Sequence, residues 1–380
     1  MNKPIYLDYQ ASTPVDPRVY EAMIPWLTEC YGNPHASGHC FGIDAQQALK
    51  HARAQIAKVL HAEENEIIFT SGATEANNLA IKGVAKFQQR HAGDKRHIIT
   101  VATEHKSVLE SCADLDDFEI TKLPVAADGL VDVDSIRKAI RPDTLMVSVM
   151  AVNNEIGVIQ PISEIGALCR QNNVYFHCDA AQAFGKMPLD VDALNVDLLS
   201  LSGHKAYAPI GVGALYVRRN PRVWLEPLFT GGGQERGLRS GTVATPLAVA
   251  LGVSAEIANK EMEQEQQRIM ALHNQLLQRL SQVNCQYVLN GHAQKRFAGN
   301  INISFAGIAA TDLRAQLPQI ACSAGSSCSS ASGAASHVLQ AIGSMNDALR
   351  IGIGRYTTEE DIEKLAEFLA GAVQRLEQAA

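Results

Sequence analysis

Side-chain chemistry is easiest to build at three positions in this 380-residue chain: a lysine after one apolar run, an aspartate ending another, and a cysteine among serines and glycines. Lys205 lies in Asp197-Leu-Leu-Ser-Leu-Ser-Gly-His-Lys-Ala-Tyr-Ala-Pro-Ile-Gly-Val-Gly-Ala-Leu-Tyr-Val217, behind an apolar strand and ahead of a glycine-rich return. A partly desolvated strand-end amine is disposed to form a Schiff base with a carbonyl compound, whereas an ordinary loop lysine is simply solvated. Asp179 ends the run Val174-Tyr-Phe-His-Cys-Asp, 26 positions before Lys205. An acid there suits either of two tasks: capping a helix, or keeping a pyridine nitrogen protonated so that the ring of pyridoxal 5'-phosphate acts as an electron sink. Gln182, one turn further on, is placed to donate to the phenolic oxygen of such a ring.

A phosphate needs a cradle. Glu66-Ile-Ile-Phe-Thr-Ser-Gly-Ala-Thr-Glu-Ala reads as strand, glycine turn and helix start, with Ala73 and Thr74 at the positive end of the helix dipole; plain capping by Thr74 is the simpler alternative. The sequence has no G-x-G-x-x-G and no Walker lysine, so nucleotide binding loses its main support. Two more strand ends carry polar clusters. Thr103-Glu104-His105-Lys106 offers a histidine to stack on a ring and handle protons, and Asn153-Asn154-Glu155 offers an amide to cofactor or substrate. Each cluster alone is weak; five in register at strand ends are not.

The cysteine is Cys328, in Ser323-Ala-Gly-Ser-Ser-Cys-Ser-Ser-Ala-Ser-Gly. Small polar residues give that segment little apolar area to tie it down, which suits a nucleophile that swings between cofactor and solvent and equally suits a free thiol in a disordered loop. The other seven of the eight cysteines, with no C-x-x-C pair among them, read as reduced, small buried hydrophobes; Cys322 reads as a buried strand residue.

The elements that must position these groups alternate in type. Strands are expected at 66–70, 97–102, 118–123, 145–152, 174–178, 198–202 and 213–217, with helices at 75–89, 135–140 and 163–172. That is the rhythm of an open, mostly parallel α/β sheet, in which ligands bind beyond the C-terminal strand ends. A helix-rich stretch at 245–282, strands at 300–305 and 348–353 and a terminal helix from 358 imply a smaller α+β unit. We expect a large domain over 15–255 and a small one from 1–14 and 256–380, the latter carrying the cysteine loop.

Composition narrows the function classes. With 46% hydrophobic and 19% charged residues the chain can bury a large core. A net charge of −7 without long single-sign runs argues against direct nucleic-acid or anionic-membrane binding. No apolar stretch is long enough to span a bilayer, and a cytoplasmic location is expected.

Taken together, Tyr6-Leu-Asp-Tyr-Gln-Ala-Ser-Thr-Pro, Gly32-Asn-Pro-His, Thr70-Ser-Gly-Ala-Thr-Glu, Thr103-Glu-His-Lys, Asn153-Asn-Glu-Ile-Gly, Ser202-Gly-His-Lys, Arg239-Ser-Gly-Thr and Arg350-Ile-Gly-Ile-Gly-Arg resemble the pyridoxal-phosphate cysteine desulfurases of the class V aminotransferase fold. The likeness runs over nearly the whole chain. It implies the type I fold of pyridoxal-phosphate enzymes and conversion of L-cysteine to L-alanine, with the sulfur leaving as a Cys328 persulfide; the Gly-Ser-small-Cys motif matches the long-loop group. By the resemblance Lys205 would bind the cofactor covalently, Asp179 its ring nitrogen, Gln182 its phenolic oxygen and His105 its ring face. Ala73, Thr74, Ser202 and His204 would hold the phosphate, Asn154 and Arg350 the substrate, and Thr242 the phosphate of the neighbouring subunit in a homodimer. The sulfur acceptor would be an iron-sulfur scaffold, a tRNA-thiolation protein or a DNA-phosphorothioation protein. The chain stops soon after its last helix, without the C-terminal extension that docks the scaffold in iron-sulfur members, which leaves that choice open. An aminotransferase or β-lyase using the same cofactor, and a cofactor-free sulfur carrier, are the rival readings.

Overall fold

A computed structural model describes residues 3–91, 93–282, 286–324, 336–344 and 347–379. The strands are β1 (Ile5–Tyr6), β2 (Ile67–Thr70), β3 (His97–Val101), β4 (Glu119–Leu123), β5 (Thr144–Ser148), β6 (Tyr175–Asp179), β7 (Leu198–Ser202), β8 (Gly213–Val217), β9 (Tyr287–Leu289), β10 (Asn300–Phe305), β11 (Ile320–Ala321), β12 (Ser323–Ala324) and β13 (Leu349–Gly352). The α-helices are α1 (Pro17–Met23), α2 (Pro25–Thr28), α3 (Cys40–Leu60), α4 (Ala73–Arg90), α5 (Lys106–Ala113), α6 (Val133–Ala139), α7 (Ile162–Gln171), α8 (Thr245–Gln282), α9 (Ala310–Ala315), α10 (His337–Ala341) and α11 (Glu359–Ala379).

Seven strands form one sheet in the order β2-β8-β7-β6-β5-β3-β4. All its pairings are parallel except those of β8, which runs antiparallel to β2 and β7. Its strands are buried along nearly their whole length, β4 at the edge excepted, because helices cover both faces. One face packs Ile99, Val147, Phe176 and Leu199 into the largest apolar cluster; the other packs Ile98, Met146 and Leu198 against Leu79 and Val84 of α4. The central strand carries polar cross-links as well. His177 bonds Ser148 at 2.8 Å on β5 and Ser200 at 3.0 Å on β7, tying three neighbouring strands.

Burial pulls the His177 pKa down to about 4, against a partial opposing pull from Asp179. The folded ring stays neutral while the unfolded ring takes a proton below its ordinary value of 6.5, so stability is lost as pH falls through that range. The loss from this residue approaches about 1.4 kcal/mol per pH unit between those limits. Calorimetric Tm values from pH 7 to pH 5 are expected to fall, and His177→Gln to flatten the decline; an unchanged slope in that variant assigns the acid sensitivity elsewhere.

A four-stranded antiparallel sheet, β12-β13-β10-β9, builds the second core, with Leu7, Ile301, Ile351, Leu365 and Leu369. Helix α8 joins the two: Ala248, Leu251 and Ala255 belong to the large core, Ile269, Leu272, Leu276 and Leu280 to the second. The N-terminal segment is divided in the same way, β1 pairing with β11 while Val19 of α1 packs on Ala250 and Ile257 of α8.

The expected strand at 145–152 is shorter: β5 ends at Ser148, although Val149 and Ala151 still donate to the carbonyls of His177 and Asp179. Helix α3 was not legible in the sequence because alanine and glycine fill half of its buried face, which gives a shallow hydrophobic period. Cys322 is buried, 9% exposed, but links β11 to β12 rather than sitting in either. No described helix is long and apolar enough to cross a membrane.

Candidate active site

Beyond the C-terminal ends of the parallel strands lies a cavity of about 360 Å³. Its wall gathers Ala73, Thr74, His105, Asn154, Asp179, Gln182, Ser202, His204, Lys205 and Arg350, drawn from positions spread over most of the chain. Strand ends are where side chains leave the sheet's hydrogen-bond ladder and face solvent, and the helices that follow bring their N-termini there. Thr242 is exposed and lines a separate cavity beside Thr70, Ser71 and Arg239. Cys328 lies outside the described residues.

Asp179 is buried, 5% exposed, at the end of β6. Its carboxylate accepts from Asn77 Nδ2 at 2.7 Å and from the Ala181 N–H at 2.9 Å. Among the described residues it has no ion-pair partner, so two neutral donors hold a buried negative charge that faces the cavity. A protonated ring nitrogen is the partner such an acid lacks.

Asn77 also donates to Ser107 Oγ at 2.9 Å, and Ser107 Oγ meets His105 Nδ1 at 2.8 Å. The Ser107 N–H donates to the same Nδ1 at 3.1 Å. A backbone N–H only donates, so Nδ1 is the acceptor and the neutral ring carries its proton on Nε2. Burial lowers the His105 pKa, Asp179 opposes that, and the charges of Lys205 and His337 add to the lowering. His105 is therefore a neutral ring at pH 7, fixed as the N-cap of α5.

The start of α4 is built to receive an anion. Its N-cap is Gly72, and no side chain caps the first turn. Gly72 has φ 153° and ψ −180°, a region that L side chains avoid, and a Cβ built there meets nothing within 4 Å. Uncapped N–H groups, a helix dipole and an open cradle coincide, with Ser202 and His204 across the cavity. Burial, followed by the charges of Lys205 and Lys186, depresses the His204 pKa to about 4, so that ring too is neutral.

Lys205 ends a short 3-10 turn after β7, and its Nζ donates to the Gln10 carbonyl at 2.5 Å and the Ala11 carbonyl at 2.6 Å. Arg350 is 1% exposed; it donates to the Asn154 carbonyl at 3.1 Å and pairs with Asp8 at 2.9 Å, and Asp8 in turn accepts from Ser323 at 2.7 Å. Asn77, Ser107, Glu155, Lys186 and His337 were not singled out from the sequence; Asn77 and Lys186 sit mid-segment in stretches that read as ordinary helix or loop. Glu155 accepts from Ser336 at 2.5 Å and His337 donates to the Glu104 carbonyl at 3.0 Å, both at the cavity wall.

The described cysteines are free, and none lines this cavity. Burial pushes the Cys322 thiol up to about 12, with Asp8 adding to the rise.

Residues 5–365 match the model of the family described as aminotransferase class-V. The cysteine desulfurase IscS of Rickettsia rickettsii is 49% identical, over 98% of this chain and 92% of the relative. The mitochondrial cysteine desulfurase of Drosophila melanogaster is 52% identical, over 98% of this chain and 82% of the relative. Among solved structures, a NifS-like protein superposes with a TM-score of 0.89 at 36% identity, covering 98% of this chain and 99% of that one. SspA in complex with cysteine superposes with a TM-score of 0.82 at 38% identity, covering 93% and 100%. A core of strand-end residues converging on one cavity and relatives of nearly equal length lead to the same place: the chain belongs to the cysteine desulfurases of the class-V aminotransferase family.

Proposed function

We propose that this protein takes the sulfur of L-cysteine, releases L-alanine, and passes the sulfur on through Cys328, with pyridoxal 5'-phosphate as cofactor. The observation that carries the reading is the placement around one cavity of an amine, a buried acid without a cation and an uncapped helix start. When bound, the cofactor supplies the electron sink that makes a proton on the substrate Cα removable. The residues do the rest. Ala73 and Thr74 at the start of α4, with Ser202 and His204, would hold the phosphate; Asp179 would keep the ring nitrogen protonated; Gln182 would donate to the phenolic oxygen. His105, with its proton on Nε2, would face the ring. Lys205 would hold the cofactor through its amine and would move the proton on the substrate Cα. Arg350 receives the substrate carboxylate beside Asn154. The Cys328 thiolate attacks the substrate sulfur; an S–S bond forms, the Cβ–S bond breaks, its electron pair stays on carbon, and protons returned by Lys205 or His105 complete alanine.

Thr242 and the exposed apolar residues Tyr31, Phe41, Ile210 and Phe229 support a homodimer, in which Thr242 of one subunit reaches the phosphate of the other. Ile210 is 74% exposed although it lines the cavity, so the rim is apolar and open in the single chain. The acceptor is a protein of iron-sulfur assembly, tRNA thiolation or DNA phosphorothioation; free, reduced cysteines fit the cytoplasm. The reading is tested by the visible absorption of the purified protein and by alanine and sulfide released on adding L-cysteine. Amino-group transfer to a keto acid without sulfide would replace it with an aminotransferase.

Gly72→Ala tests the phosphate cradle separately. A Cβ in that glycine-only conformation costs about 1–3 kcal/mol and stands in the space left for the anion. Titration of the apoprotein with pyridoxal phosphate is expected to show at least about tenfold weaker binding, with little loss at saturating cofactor; unchanged affinity places the phosphate elsewhere.

A further inference from the structure

Behind the cavity wall a second lysine is buried, and nothing in the proposed chemistry uses it. Lys186 is 9% exposed and donates from Nζ to Gln182 Oε1 at 3.0 Å. The other end of the same amide, Gln182 Nε2, donates to the Gln10 carbonyl at 3.0 Å, the carbonyl that also receives Lys205. An ammonium has donors only, and a carbonyl oxygen accepts only. Two neighbours on opposite ends of Gln182 therefore impose the same orientation on an amide that is otherwise free to turn over. The Phe297 ring, 5.5 Å from Nζ, closes the space around the lysine.

We propose that Lys186 is a positioning residue that locks the Gln182 amide with Nε2 forward, so that the cavity presents a donor, and never an acceptor, to the cofactor's phenolic oxygen. With Nε2 forward, Gln182 stabilises negative charge on that oxygen; turned over, Oε1 would repel it. The groups whose charges reach Lys186 are Lys205 and Glu265, and the neighbouring His204 ring is neutral. Burial with the Lys205 charge lowers its pKa to about 7, Glu265 opposing; the ammonium form, which has donors only, is the one that locks the amide. The proposal rests on the pyridoxal-phosphate reading.

The test is the pH midpoint of the visible absorption band of the holoprotein, measured in wild type, Lys186→Met, Lys186→Arg, Gln182→Ala and the Lys186→Met/Gln182→Ala double variant. A donor to the phenolic oxygen favours the deprotonated chromophore, so losing it raises the midpoint. Lys186→Met is expected to raise it by about one pH unit, the worth of one hydrogen bond to a charged group. Lys186→Arg, which keeps a donor, is expected to restore much of the wild-type midpoint. In the Gln182→Ala background Lys186→Met is expected to add nothing, because the amide it orients is gone. A midpoint unmoved in Lys186→Met overturns the proposal. So does an equal shift with and without Gln182, which makes the lysine a distant charge only. A wild-type protein that stays colourless with added cofactor overturns the parent reading and this one together.

Discussion

Lys205→Ala is expected to abolish turnover, lowering alanine formation by a factor on the order of 10³ or more, because in the proposed reaction one amine both anchors the cofactor and moves the Cα proton. Within the cavity wall the other lysine is Lys106, whose side chain is exposed at the start of α5, and Lys186 is held behind the wall on Gln182. Neither stands, as Lys205 does, in the cavity wall just after the end of β7. Borohydride reduction of the wild-type holoprotein followed by peptide mass spectrometry is expected to find the pyridoxyl group on Lys205. The variant is expected to lose that label and the band of the covalent linkage while keeping a cooperative melt. A label on Lys106 or Lys186 in the wild type would move the chemistry to a different wall of the cavity.

Cys328→Ser divides the desulfurase from its aminotransferase relatives. None of the described cysteines lines the cavity, and burial holds Cys322, the described cysteine nearest in sequence, and Cys112 at about 12, where almost no thiolate exists at neutral pH. The proposed sulfur-accepting thiol is Cys328, whose serine- and glycine-rich sequence none of the described cysteines shares. A serine hydroxyl is a far poorer nucleophile toward sulfur, while Lys205 and Asp179 stay in place. The variant is expected to bind cofactor and to show the spectral change on adding L-cysteine, yet to form alanine at least about 10²-fold more slowly and to carry no added sulfur mass. Near-normal alanine release, or a persulfide on Cys322 in the wild type, names another sulfur.

How much of this was legible beforehand follows from the range of each signal. Strands β7, β8 and β10 begin and end where the sequence places them, since apolar runs and breakers such as Gly203 act over a few residues, and the stretch that reads as helix-rich is the single helix α8. The strand-end groups Asp179, His105, Asn154 and Lys205 were legible for the same reason: a polar residue directly after an apolar run is a local pattern. Their convergence could be expected from the α/β rhythm alone, which sends the C-terminal ends of parallel strands to one edge.

What holds those groups in working orientation was decided only by the tertiary structure. Asn77 bonds Asp179 across 102 positions, Lys205 meets the Gln10 carbonyl across 195, and Arg350 pairs with Asp8 across 342. No period in a sequence links such positions; they meet because the sheet order, the antiparallel return of β8 and the long α8 joining two cores bring the N-terminal segment over the strand ends. Residue type and local spacing determined which groups have chemistry to offer. Which nitrogen of His105 keeps its proton, which neighbours hold the two ends of the Gln182 amide and which acid has no cation beside it among the described residues follow from contacts that exist only in the folded chain, because a hydrogen bond constrains orientation only once both partners are fixed in space.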